Sequence, residues 1–395
     1  MRILIVHNFY RIPGGEDSVF RNEAELLKAG GNEVFTYTES NGRLNAAGLL
    51  FDAVFSRKTY KAVRELIELK DIEIVHVHNE RFLISPSVFK AAIDAGIPVV
   101  QTLHNFRLLC INAMLNYNGA VCTECIKKNG VRFLPAIKRK CFRGSRLLTL
   151  LSLRINRYRI RHCLNNMYYI ALTDFNRELF GRSLIEGSRI YVKPNFTPSF
   201  NDSPGTGERK GFLYLGRLDP LKGIEDILKE WEKLPDECIL NIAGNGEEDY
   251  EGYLKQRYER KNIRFLGKLP GEEALSILER SKAMIFASRW YEGFPMTIIE
   301  SFSKGTPVIG LDFGNAGVIL KGIYNDPRAL MKETGELCER ILSFEEDRAA
   351  GLYDYSRDRL SVFGPDANYR LLMDIYSDIL KRENDKEISF IRGSV

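Results

Sequence analysis

Glu292 and Glu300 stand eight residues apart around a turn, Gly293-Phe294, and a proline, Pro295, placed to open a helix. The unpaired N–H groups of Met296, Thr297 and Ile298 would then hold a phosphate or pyrophosphate, aided by the helix dipole. Carboxylates beside a phosphate repel it, so both glutamates are expected to accept hydrogen bonds from sugar hydroxyls instead. Upstream, Arg217 and Lys222 follow Gly216, five residues apart. Arg takes phosphate oxygens bidentately and Lys acts as a point charge, so the pair can neutralise a departing diphosphate without a metal. Gly244 and Gly246 mark another turn where a ligand can approach the backbone. Each signal alone also has a plain structural reading: solvated charges, surface glutamates, a tight turn.

Nearer the N-terminus, Pro13-Gly14-Gly15 precedes a helix expected from about Ser18. It resembles a phosphate-cradling turn but lacks both the G-x-G-x-x-G spacing and the G-K-[ST] ending, so dinucleotide and P-loop readings fail. His78 and His104 each end an apolar run; His78 reads as structural, and His104, beside Asn105, as a candidate at the ligand.

Short β-branched runs must position these residues: Arg2 to His7, Glu33 to Thr38, Ile72 to His78, Pro98 to His104, Tyr168 to Thr173 and Arg189 to Lys193. A stretch rich in Pro, Gly, Ser and Asn near 198–209 separates them from a second series, Gly211 to Leu218, Ile239 to Ala243, Ile263 to Leu266, Ala283 to Ala287 and Pro307 to Leu311. Such runs alternating with helical patterns predict an α/β protein with two doubly wound parallel sheets and a ligand site in the cleft between domains.

At 395 residues, 44% hydrophobic and 28% charged, the chain is neither disordered nor a single small module. Its opening apolar run is too short to span a membrane and lacks a cleavage site, so a cytoplasmic protein is expected. Residues 1–198 hold 29 Lys+Arg against 17 Asp+Glu, and the remainder 28 against 35, so the positive charge is concentrated in the first half.

The ordered set Pro13-Gly14-Gly15, His104, Pro194-Asn195, Gly216-Arg217-x4-Lys222-Gly223, Gly244-Asn-Gly246, Phe265-Leu-Gly267, Glu292-x7-Glu300 and Lys304-Gly-Thr-Pro307 resembles the retaining glycosyltransferases of the GT-B fold, family 4. The resemblance implies two Rossmann-like domains facing across a cleft, 1–198 on the acceptor side and 199–364 binding a nucleotide sugar. A last helix, about 365–395, would pack back on the first. It further implies that Arg217 and Lys222 bind the donor diphosphate, Glu300 the ribose and Glu292 the donor sugar. Lys268 and Leu269 would border the nucleobase, and Gly14, Gly15 and His104 would lie near the reacting sugar, with Asn195 and Gly216 in the binding set. The implied reaction is transfer from a nucleoside-diphosphate sugar, UDP favoured, with retention, to a lipid-linked or saccharide acceptor in polysaccharide or O-antigen assembly. It needs no cofactor and no catalytic metal. A nucleotide-sugar epimerase and a non-catalytic nucleotide-sugar binder are the alternatives. One departure is the short run Leu311-Asp-Phe-Gly-Asn-Ala-Gly, where the family has a longer Gly-rich loop.

The seven cysteines, an odd number, favour reduced thiols. Four of them, Cys110, Cys122, Cys125 and Cys141, have a spacing compatible with a structural zinc. Residues 126–161 hold 12 Lys or Arg and no Asp or Glu, interleaved with leucines. Such a segment suits an anionic membrane surface, the inner face of the plasma membrane, better than nucleic acid, for which no motif is present.

Overall fold

The computed structural model describes residues 1–11, 14–43, 52–128, 130–198, 200 and 207–393. Pro13 and most of the expected linker, 199 and 201–206, lie outside the described residues. The chain divides into two compact units, one of Met1–Leu115, Thr123–Asn195 and Asp366–Val395, the other of Asn116–Cys122 and Phe196–Pro365. The boundary expected after residue 198 therefore falls at Asn195/Phe196, and Cys122 groups apart from the other three cysteines of its set.

The first unit is built on β1 (Arg2–Phe9), β2 (Glu33–Ser40), β3 (Ile74–Asn79), β4 (Val99–Thr102), β5 (Tyr168–Ala171) and β6 (Ile190–Val192), all parallel in the order β2-β1-β3-β4-β5-β6. Ile3, Ile5, Ile74, Val100 and Ile170 are sealed from solvent because helices cover a parallel sheet on both faces. The final helix, Pro365–Gly393, supplies Leu372, Ile375, Tyr376 and Ile379 to this core. Each such side chain contributes roughly 1.5–3 kcal/mol of burial. The helix Gly15–Ala29 starts earlier than the expected Ser18, with the Asp17 carboxylate reaching back to accept from the Gly14 N–H at 3.0 Å.

The second unit carries β7 (Phe212–Leu215), β8 (Leu240–Ala243), β9 (Ile263–Gly267), β10 (Ala283–Phe286) and β11 (Val308–Gly310), parallel in the order β9-β8-β7-β10-β11. Trp231, Tyr258 and Tyr324 are its largest fully buried side chains. In each unit the strand order reverses once, at β1/β3 and at β7/β10. In open parallel sheets the carboxyl ends beside that reversal are where ligands bind. Among the described residues no helix is long and apolar enough to cross a membrane.

Candidate functional site

In the second unit, β7 runs into Gly216–Lys222 and β10 into Ser288–Pro295, so the reversal brings the two expected motifs together. Asp219 caps the turn Pro220–Lys222 by accepting from the Leu221 N–H, and Arg289 N–H bonds the Leu221 carbonyl at 2.8 Å, tying the loops to each other. Lys222 Nζ then lies 2.6 and 2.8 Å from the two Glu292 oxygens, and Ser288 Oγ donates to Glu292 at 2.7 Å. Lys222 is therefore not a free cation: it meets a diphosphate as half of an ion pair. Arg217 is 62% exposed and pairs with Asp219 at 3.0 Å.

Pro295 is the N-cap of the helix Met296–Ser303 and offers it no side-chain cap. The Ile298 N–H is already bonded to the Pro295 carbonyl at 3.1 Å, so the expected three donors reduce to Met296 and Thr297. Glu300, one turn on, is half-buried, and burial raises its carboxyl above the ordinary value. No side chain among the described residues pairs with it. An unpaired carboxylate one turn into a helix is suited to accept from vicinal hydroxyls, as expected of a ribose contact.

Gly244 and Gly246 owe their identity to the protein itself. A Cβ would fall 1.8 Å from the Gly216 carbonyl oxygen at one and 2.3 Å from that of Leu218 at the other, so the turn seats directly on the strand end carrying Arg217. Gly216 has no such conflict. Lys268 is exposed and Leu269 half-buried, beyond the end of edge strand β9. Phe294 rests against Phe363. Sequence reasoning missed Asn315, whose Nδ2 donates to the Glu292 and Gly293 carbonyls, and Phe313, stacked on Tyr291 with centroids 4.9 Å apart. The short run after β11, where the resemblance departs, thus braces the Glu292 loop.

In the first unit, Gly14 and Gly15 are exposed, and a Cβ at either would meet open space. His104 is half-buried beyond β4, with Nε2 2.9 Å from Nδ1 of His78. Behind His78 lie residues the sequence did not flag. Glu23, from the first helix, has Oε1 3.2 Å from both His78 Nε2 and His76 Nδ1, and its Oε2 accepts from Lys193 at 2.7 Å. Glu23, His76 and His78 are close enough to hold an ion, but the Lys193 ammonium already supplies the positive charge, and the group reads as a hydrogen-bonded cluster. Burial lowers His76 to about 3, so it stays neutral. Beside them Arg107 donates to Asn79 at 3.0 Å and to the Tyr10 hydroxyl at 2.6 Å, and Tyr10 donates to Glu16 at 2.6 Å. Burial pushes Glu16 up to about 7. Asn195 is buried with an unpaired Oδ1.

Of the zinc candidates, Cys125 and Cys141 join a small cluster around Phe133, and the Cys110 thiol reaches Asn112 Oδ1 at 2.9 Å. The basic segment forms two helices, Leu134–Arg139 and Arg146–His162. Leu134 and Leu147 are each 61% exposed and Leu150 43%. Arg154, Arg157 and Arg161 continue the Leu147–Leu150 stripe without a carboxylate partner among the described residues, whereas Arg139 is paired with Glu124.

Residues 196–359 match the family described as Glycosyl transferases group 1. Over 188 residues the chain is 29% identical to the glycogen synthase of Mycobacterium tuberculosis, covering 46% of this chain and 45% of that one. Over 104 residues it is 33% identical to the O-antigen chain mannosyltransferase B of Escherichia coli, covering 25% and 27%. The chain spans less than half the length of these curated relatives. Among solved structures, Anabaena HepE in complex with UDP and glucose superposes with a TM-score of 0.66 at 17% identity, covering 95% of this chain and 99% of that one. The chain thus has the two-domain, parallel-sheet architecture of GT-B structures, and its residues 196–359 are similar to the family described as Glycosyl transferases group 1.

Proposed function

We propose that the chain is a metal-independent, retaining glycosyltransferase of the family 4 type, moving a hexose from a nucleoside-diphosphate sugar to a lipid-linked or saccharide acceptor in cell-surface polysaccharide assembly. The observation carrying this reading is the unpaired Glu300 carboxylate one turn from the uncapped Met296 and Thr297 N–H groups, beside the Lys222–Glu292 pair. A ribose and a diphosphate fit that arrangement. UDP is favoured by the likeness to HepE, and the O-antigen relative supports the acceptor class.

In this mechanism the bond between the anomeric carbon and the diphosphate oxygen breaks as the acceptor oxygen bonds the same face. The acceptor proton passes to the departing diphosphate. Arg217, Lys222 and the Met296 and Thr297 N–H groups stabilise the negative charge that grows there. His104 hydrogen-bonds sugar hydroxyls near the anomeric centre. The exposed leucines and unpaired arginines of 126–161 hold the enzyme on the inner face of the plasma membrane, where a lipid-linked acceptor resides.

The test incubates the protein with UDP- and GDP-sugars in EDTA, with and without a polyprenyl-diphosphate-linked saccharide, following nucleoside diphosphate release and product anomeric configuration by NMR. Acceptor-dependent release with retained configuration is expected. Inversion, donor epimerisation without acceptor, or binding without release under every condition overturns the proposal.

A further inference from the structure

The polarity of the His104 ring is set from behind. Its Nε2 lies 2.9 Å from His78 Nδ1, with the rings stacked at 5.1 Å. His78 Nε2 in turn faces Glu23 Oε1 at 3.2 Å. The β1–β3 register shifts here, His7 pairing with Asn79, so His78 is the extra residue of a bulge, the kind of irregularity that re-aims a side chain. Burial alone would raise the Glu23 carboxyl, but the Lys193 charge and the neighbouring histidines hold it well below the ordinary value. Glu23 is a carboxylate, and a carboxylate only accepts. His76 is engaged elsewhere, with Nδ1 2.6 Å from the Tyr376 hydroxyl and Nε2 2.8 Å from Thr102 Oγ1.

With a single proton on Nε2, the nitrogen that faces Glu23 Oε1 at 3.2 Å, His78 would present a bare Nδ1 that can only accept. His104 must supply that hydrogen bond from Nε2, which leaves Nδ1 as a lone pair. Burial holds His104 well below its ordinary value, so it is neutral. His104 Nδ1 has no partner among the described residues.

We propose that Glu23 and His78 are positioning residues that lock His104 in the tautomer whose Nδ1 accepts, so that this site takes a hydrogen bond from a substrate hydroxyl and cannot donate one to a substrate oxygen. The substrate part rests on the proposed transferase function; the tautomer does not. Long-range proton–nitrogen NMR of the full chain at neutral pH, with His104 assigned by the signals lost in His104→Gln, reads the tautomer directly. An Nε2–H form is expected, and an Nδ1–H form or an imidazolium overturns the proposal whatever the turnover. For turnover, His78→Leu is expected to lower kcat about 10–100-fold, the range typical of partners that orient a working histidine. Donor KM should stay within about two-fold. His78→Asn, whose amide oxygen replaces the accepting Nδ1, should restore most of the rate. Equal losses in both variants, or none in either, overturn the positioning role. No turnover in the wild type, together with an Nε2–H tautomer, overturns the transferase reading alone.

Discussion

The strand-end sites of the two units solve different problems. In the second unit, Lys222, Glu292, Arg217 and Glu300 are partly open, sit on loops and a helix start, and keep charges within reach of a ligand. In the first, Glu23, His76, His78 and Lys193 are fully enclosed, and their charges serve one another. One arrangement binds charge; the other fixes the direction of hydrogen bonds. The same residue type therefore carries different consequences in the two places.

Stability separates them most. Lys193→Met should cost about 3–5 kcal/mol, because it leaves Glu23 buried and uncompensated. Lys222→Met should cost about 1 kcal/mol or less, since its pair is reached by water. Denaturant unfolding of both variants measures this, and equal losses would erase the contrast. Turnover should invert the order: Lys222→Met is expected to lower kcat/KM about 10²–10³-fold, the scale of losing one stabiliser of transition-state charge.

Acidification probes the first unit. His7, His76 and His104 are held neutral by burial, below their ordinary value of 6.5, so between that value and their folded values the unfolded chain binds more protons and stability falls as pH drops. Glu16, raised from 4.5 to about 7, and Glu300, also raised by burial, act oppositely, losing stability as pH rises, but they are two groups against three. Thermal melts should therefore show a net decline from about pH 7.5 to about pH 5. A flat or rising profile would mean that these histidines are not buried neutral. The smallest effect belongs to the basic helix. Each of Arg154→Ser, Arg157→Ser and Arg161→Ser should weaken sedimentation with phosphatidylglycerol vesicles by about 1 kcal/mol. Arg139→Ser should do less, being paired with Glu124.

The sheets were legible because a parallel strand is a near-continuous apolar run, and the ligand ends followed from where those runs stop. Lys222 and Glu292 were legible as strand-end residues for the same reason, each just past a strand, although their pairing was not. The first-unit cluster was not legible: Lys193 and Glu23 lie 170 positions apart, and a buried lysine looks like any other until its partner is seen. Ile298 was misassigned because a local turn had already used its N–H, and at 244 and 246 the backbone packing that demands glycine was not legible, because close approach to backbone has the same sequence signature as close approach to a ligand.

The Pro365–Gly393 helix has a consequence for synthesis. The strands of the first unit precede the main part of the second unit, Phe196–Pro365, in the chain, yet Tyr376, which contacts His76, and Asn368, which holds Lys193, follow it. Domains tend to fold as units while the chain emerges. The second unit can therefore mature as soon as its own residues are made, whereas the histidine cluster is completed only after the whole of the second unit has been synthesised.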